Sequence, residues 1–463
     1  MGRQYYETYG LDYELTIKSK IGGSPQIINL MVIELNMYED MFGPFMRMEV
    51  VINDSLGLID KLPIVGDEEL VFTYGNPNEQ QFEQTFVVYK LSGRTNIKDR
   101  AQVYTIHAIS REGHKNSLEY VYKPYIDKKP HEIATDIFDN QLKSSDKMLR
   151  AIPAEDKYSK VTSGQNPVQV INQLAKEAKG PYEASSYLFF ENKDDFYFAP
   201  LSFFYTGSAA PFDFFLSVPN EQPQLEKGKG AFPARSIKKI KYLDSFDNLG
   251  VAHRGAYYNE VNVIDPILKR FVVHPLKNAD KKKYQFDYKK NWDQLDHIPN
   301  SGEKFVSEQG ELGKAKKAYS THRRLMLSNI AQDDETYQEI GYLEGKLVKG
   351  DQLYNPRVRH KHLSKTAHEL ANIHTNVIEI TTPGIAELAV GTMVKINIPQ
   401  PTQLQGEHTK FLLLYGQDAT FFITAIRHHY DTASDVYSMV LSCSKESLGQ
   451  APAPKAFNHS KEE

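Results

Sequence analysis

One pattern occurs twice in this chain, once near each end, and it restricts the fold more than any other feature. Leu62-Pro63-Ile64-Val65-Gly66-Asp67-Glu68-Glu69-Leu70-Val71-Phe72 is echoed by Leu388-Ala389-Val390-Gly391-Thr392-Met393-Val394-Lys395-Ile396. Two strand-like runs follow each copy: 86–91 and 103–109 after the first, 421–426 and 436–441 after the second. Each unit reads as an apolar entry, a glycine at a tight turn, an alternating strand, and a hairpin whose arms are rich in β-branched and aromatic residues. The expected fold is mainly β, with two related antiparallel β-barrels and with Gly66 and Gly391 as turn glycines at equivalent places. Three such chains could set six quasi-equivalent units around one axis.

A chain of 463 residues should divide into three or four domains, at about 150 residues each. The 40% content of aliphatic and aromatic residues and the mean hydropathy of -0.51 read as a soluble globular protein. Tyr (28) and Phe (24) are abundant whereas Trp occurs once, at Trp292, a balance that suits sheets and large protein interfaces. Lys plus Arg total 55 against 59 for Asp plus Glu, so the net charge of -4 argues against gripping nucleic acid by bulk electrostatics. A lone cysteine, Cys443, can form no intrachain disulfide and no cysteine-based metal site, which fits synthesis in a reducing cytoplasm. The start, Met1-Gly2-Arg3-Gln4-Tyr5-Tyr6, has no apolar signal region, and no run approaches the roughly 20 apolar residues that cross a bilayer, so no stable membrane insertion is expected.

Along the chain, 1–112 reads as the first barrel, with strands at 13–18, 27–35 and 45–52. The segment 36–44 between the last two reads as a loop rich in Met and aromatic residues. It either folds back over its own barrel or grips a neighbouring subunit, and Met37, Tyr38, Met41, Phe42 and Phe45 are the candidate subunit-contact residues. Residues 113–206 read as a small α/β domain: a helix over 129–142 with Pro130 near its start, a second after Pro167 with Asn166 as N-cap, and a hairpin over 186–201. Residues 207–232 read as an exposed connector. Strand counting assigns 207–265 and 375–449 to a discontinuous second barrel, leaving 266–374 as an inserted, partner-facing domain with a helical candidate over 333–348. The end, 450–463, reads as a flexible tail.

Catalytic signatures are absent: no phosphate-binding Gly-Lys loop, no nucleophile elbow and no His-Glu-x-x-His. His360 and His362 would share a strand face, but Arg359 and Lys361 beside them oppose a metal cation. The carboxylates Asp194-Asp195 and Asp333-Asp334-Glu335 sit where Asp serves turns and helix starts rather than glycoside chemistry. Lys281-Lys282-Lys283 and the 314–317 run read as solvation or partner charge, without the aromatics that stack bases. No cofactor, metal or catalytic residue is expected.

The run from Ser55 through Gly66-Asp67-Glu68 resembles the baseplate hub proteins of contractile-tailed, T-even-like bacteriophages, in its Asp-Ser turn, Leu/Ile-rich segment and Pro-Ile-Val-Gly-Asp-Glu step. The Asn166-Pro167-Val168 helix with 185–191, and the block 388–444, resemble the same family. The resemblance implies a homotrimer whose six barrels form a ring, joined to the tail tube or tube-initiator proteins above and to a central spike protein below. Its lumen would pass DNA in transit and the tape-measure protein, in the tail baseplate of a virion. Alternatives are a hub of a related contractile injection system, or a tail-associated hydrolase with its site in the insertion.

Overall fold

The computed structural model describes residues 10–20, 24–62, 64–77, 79–98, 101–155, 157–180, 186–205, 212–216, 235–244, 366, 370, 373, 376–398 and 420–445, and the backbone of five further strands between 259 and 349. The histidine, lysine and carboxylate groups noted at 281–283, 314–317, 333–335 and 359–362, and the 450–463 tail, lie outside the described residues.

The first unit comprises β1 (Asp12–Lys18), β2 (Gln26–Ile27), β3 (Val32–Asp40), β4 (Arg47–Asp54), a short α1 (Leu58–Lys61), β5 (Glu69–Gly75), β6 (Phe82–Lys98) and β7 (Ala101–Ser110). Alternation drives these strands: in β7 Tyr104, Ile106 and Ala108 are buried, while Val103, Thr105 and His107 between them are only half-buried. Asp54 ends β4 and accepts from Leu58 N at 2.8 Å, which starts α1. The Gly66-Asp67-Glu68 step closes by the same means. The buried Glu68 carboxylate accepts from Val65 N at 2.9 Å and Gly66 N at 3.0 Å, and both Gly66 (φ 101°) and Asp67 (φ 77°) are left-handed.

A mixed unit follows: α2 (Arg111–Leu118), β8 (Val121–Lys128), α3 (Pro130–Ile137), β9 (Leu149–Ala151), β10 (Tyr158–Gln165), α4 (Pro167–Glu177), β11 (Tyr187–Glu191), β12 (Phe196–Pro200) and α5 (Leu201–Tyr205). The expected helix after Lys129 is present and widens into one π turn, Phe138–Leu142. Asn166 stands at the N-cap of α4 as expected, in a capping box in which its N–H donates to Gln169 Oε1 at 3.2 Å, and Asn116 of α2 adds to it, its Oδ1 accepting from Val168 N at 2.9 Å and its backbone carbonyl from Asn166 Nδ2 at 3.0 Å. The part supplied by another helix has no local sequence signal.

The expected connector is partly a strand. β13 (Phe212–Leu216) lies within the main sheet with Phe214 fully buried, followed by β14 (Ser236–Ile237) and β15 (Lys239–Asp244). β16 (Asn259–Asp265) pairs antiparallel with β17 (Arg270–Pro275) and parallel with β18 (His322–Leu327), so it joins the strands of the insertion instead of opening the second barrel. In place of the helix over 333–348, β19 (Ile340–Leu343) and β20 (Lys346–Lys349) form an antiparallel pair. The apolar residues Ile340, Tyr342, Leu347 and Val348 satisfy either period over so short a run.

The second unit is β21 (Asn376–Pro383), β22 (Met393–Asn397), β23 (Thr420–Asp431) and β24 (Val436–Lys445), with β15 beside β21. Its order β15-β21-β24-β23-β22 repeats β3-β4-β7-β6-β5 of the first unit. The register repeats as well. Asp67 N donates to Val88 O and Val88 N to Glu68 O (both 2.9 Å), and Gly391 N donates to Ile423 O (3.1 Å) and Ile423 N to Thr392 O (3.0 Å). A bulge follows at once in both, between Val88 and Lys90 and between Ile423 and Ala425. The repeat read from sequence is therefore present strand by strand, although the ladder sets Gly391 (φ 94°) level with Asp67, one residue after Gly66.

Closed barrels are not what the described strands form. The two units are fused into one 14-stranded sheet, because β23 pairs along one edge first with β22 and then with β3. One apolar core runs through both units, and a second lies inside the mixed unit.

Candidate functional site

The junction where β23 meets β3 encloses a buried chain of polar contacts. The two strands run antiparallel from Ala425 opposite Asp40 to Asp431 opposite Glu34. Met41 N donates to Thr424 O at 2.9 Å, and Thr432 N donates to Ile33 O at 3.1 Å, so both ends are tied. Glu39, 1% exposed, projects from β3 into the core, where its Oε2 accepts from Val390 N at 3.2 Å and its Oε1 lies 3.4 Å from His428 Nε2. His428 Nδ1 lies 2.7 Å from Tyr437 Oη. Burial pushes the Tyr437 phenol far up, so it keeps its proton, and because a carboxylate only accepts, the tautomer that satisfies both contacts carries its proton on Nε2 and accepts from Tyr437 at Nδ1. One carboxylate of the first unit thus satisfies a backbone N–H and an imidazole of the second. Gly384 is required beside this chain of bonds, because a Cβ there would sit 2.0 Å from the Tyr437 ring.

A second set of contacts flanks the first. Asn76 Nδ2 donates to Gly384 O at 2.9 Å while its Oδ1 accepts from Ala386 N at 2.8 Å, and Tyr13 meets Tyr430 edge-on at 5.2 Å between ring centroids. On the opposite face Arg427 Nε donates to Asn36 Oδ1 at 2.9 Å.

The mixed unit bridges both halves through the turn between β11 and β12. Glu191, nearly fully buried, accepts from Met46 N at 2.9 Å and from Lys147 Nζ at 2.8 Å. Asn192 Nδ2 donates to Val390 O of the second unit at 3.2 Å, and Gln84 Nε2 of the first donates to Lys193 O at 2.7 Å. Asp194 and Asp195 are held by this turn: both backbone N–H groups donate to Asn192 Oδ1, and the Asp195 carboxylate pairs with Arg150. That use is the turn reading of these acids, not the glycosidase one.

The segment 36–44 is not a free loop. Strand β3 continues to Asp40, and Met37, Met41 and Phe45 are buried in this chain, the first two at the junction core and Phe45 against Phe196 of the mixed unit at 6.3 Å between centroids. Their side chains are spent on packing within this chain. Tyr38 is half-buried and donates to Glu49 at 3.1 Å, and only Phe42, 42% exposed, offers an apolar surface from this group. The local signal misled because Asn36, Glu39 and Asp40 disfavour strands. Pairing with a strand about 390 residues away overrides that preference, and Glu39 and His428 were not read as partners because nothing local links them.

Among the described residues no group of three or more His, Cys, Asp or Glu could hold a metal, and no helix is long and apolar enough to cross a membrane. No protein-family model and no curated protein sequence matches the chain. Solved structures do. The 43 kDa tail protein of prophage MuSo2 from Shewanella oneidensis aligns over 94% of this chain and 99% of its own length, with TM-score 0.51 and 10% identity. A tail protein from Neisseria meningitidis (TM-score 0.49, 11% identity, 94% and 98% covered) and prophage tail protein gp18 from Listeria monocytogenes (0.44, 9%, 93% and 94%) are also similar. The chain has the fold of the MuSo2 prophage tail protein, with its two equivalent β units fused edge to edge through Glu39 and His428.

Proposed function

We propose that this protein is a structural hub of a contractile phage tail baseplate, a homotrimer whose six β units form a ring around the channel for DNA. The observation that carries this reading is the doubled unit. A chain that joins two equivalent units side by side supplies what a dimer of single units would, one third of a ring of six, and three copies would complete that ring. The fold shared with a prophage tail protein supports the setting. In that role the protein sits in the virion tail, contacts the tail tube or its initiator on one face and the central spike on the other, and surrounds the tape-measure protein and DNA in transit. The work is geometric: Asp194 and Asp195, the described pair that a glycosidase reading would use, lie in a turn where the Asp195 carboxylate pairs with Arg150, and Glu191 accepts from Met46 N.

Light scattering across a concentration series, alone and with the candidate spike, tests the reading. A mass near three times 52.9 kDa supports it. A strict monomer under both conditions contradicts it.

A further inference from the structure

Within the chain, the edge of β23 beyond its bulge is covered by β3. The repeat has the same two surfaces a second time. The equivalent of β23 is β6, whose edge beyond its own bulge, from Lys90 on, has no strand beside it among the described residues. The equivalent of β3 is β15, which pairs with β21 on one edge and with no described strand on the other.

Burial at matching positions separates the two cases. Ladder partners make Ile240 and Tyr242 of β15 the counterparts of Leu35 and Met37, since Ile380 and Ile378 of β21 stand where Val50 and Met48 of β4 stand. Leu35 and Met37 are 1% and 0% exposed, whereas Ile240 is half-buried against the core and Tyr242 is 44% exposed. On the other strand the bulge residue Thr424 is 5% exposed and its counterpart Tyr89 is 51%; farther along, Tyr430 is 7% exposed while its ladder counterpart Asn96 is exposed. Apolar side chains on an open strand edge are what soluble proteins avoid unless the edge is paired. The same chemistry is buried at one junction and bare at the other.

We infer that β15 of one copy adds antiparallel to β6 of the next, repeating between chains the β3–β23 junction found within each. This inference rests on the trimeric hub reading and specifies its interface. In β6 one additional residue stands against β7 between Ser92 and Thr95, and Gly93, at φ 64°, lies in this step. With that residue absorbed there, the carried-over register sets Thr95 opposite Lys241, the counterpart of His429 opposite Asn36. That is a pair without mutual hydrogen bonds, the closer of the two antiparallel types and within reach of a disulfide. The arrangement is head-to-tail, so it closes only if the rotation per copy completes a circle, at three copies.

The test is a Thr95→Cys, Lys241→Cys double variant of the full chain under mild oxidation, beside each single variant, with the mass measured by light scattering before oxidation. Both positions lie on exposed strand edges, and the native Cys443 is fully buried. The expected result is covalent dimer and trimer from the double variant, a ladder that stops at three, and covalent dimer alone from a mixture of the two single variants. A trimeric mass without cross-linking overturns the β6–β15 assignment and leaves the hub reading standing. A monomeric mass without cross-linking overturns both. A ladder that runs past three chains overturns closure.

Discussion

The two junctions of the repeat use the same strands and meet water differently. Where β23 runs against β3, apolar and polar groups alike are enclosed: Met37 from one side, Tyr430 from the other, and between them the Glu39–His428–Tyr437 bonds. Where β6 and β15 offer the equivalent edges, Tyr89, Ile97, Tyr242 and Leu243 stand in solvent. Lysines and one arginine, Lys90, Arg94, Lys239 and Lys241, are also exposed there. Cations on an edge discourage pairing with arbitrary strands, so the open edge combines an apolar contact with a filter against wrong ones. The inner junction needs no filter, because its partner is on the same chain and always present. It can instead contain a buried carboxylate, whose bonds favour a single register.

The harshest way to break the comparison is at Glu39. Glu39→Ala leaves Val390 N and His428 Nε2 without their buried acceptor, and each unsatisfied buried donor costs about 1–3 kcal/mol. Urea melts should show both units destabilised together, and an unchanged midpoint would remove Glu39 from the account. Next comes a matched pair of truncations. Met37→Ala deletes a fully buried side chain and should cost about 2–5 kcal/mol in the single chain. Its counterpart Tyr242→Ala should cost under about 0.5 kcal/mol in the single chain, as exposed substitutions do, while lowering the assembled mass in light scattering. Equal effects of the two on stability would erase the distinction between the junctions.

A smaller effect asks whether the mixed unit melts separately from the junction it bridges. His131 Nδ1 accepts from Ala154 N at 2.8 Å, and burial lowers its pKa below the ordinary value. A histidine depressed in the folded state contributes stability that is complete above its unfolded pKa of about 6.5 and is lost as pH falls through the lower folded value. Thermal melts from pH 7 to 5 should therefore fall more steeply for the native chain than for His131→Gln, and parallel curves would contradict this. The least effect is that of salt. The exposed cations on both open strands repel one another, so raising ionic strength should tighten assembly measured by sedimentation, and looser assembly would argue against facing β6 with β15.

How much could be read in advance follows from how local each signal was. The repeat was legible because each copy carries its own glycine turn and alternating strands. The helices at 130–137 and 167–177 were legible from apolar spacing and a proline at the first turn. The extension of β3 to Asp40 was not, because Glu39 and Asp40 are poor strand residues until β23 pairs with them. β13 was missed because its Phe212-Asp213-Phe214-Phe215 run sits between Pro- and Gly-rich stretches, and parallel pairing with β22 leaves no hairpin signature. Of the contact residues expected around 36–44, Met37, Met41 and Phe45 are buried within the chain, which no local signal announces. Met37 faces a neighbouring unit of its own chain, and its counterpart at the open edge is Tyr242.

The central claim is that one junction is permanent and its twin is made only between copies. Amide hydrogen exchange of the wild type and of Tyr242→Asp, followed segment by segment, tests it most directly. The account predicts slow exchange for 424–431 in both proteins, and protection of 90–98 and 239–244 in the wild-type assembly that is lost in the variant. Fast exchange of 90–98 in an assembled wild type, or loss of protection across 424–431 in the variant, would contradict it.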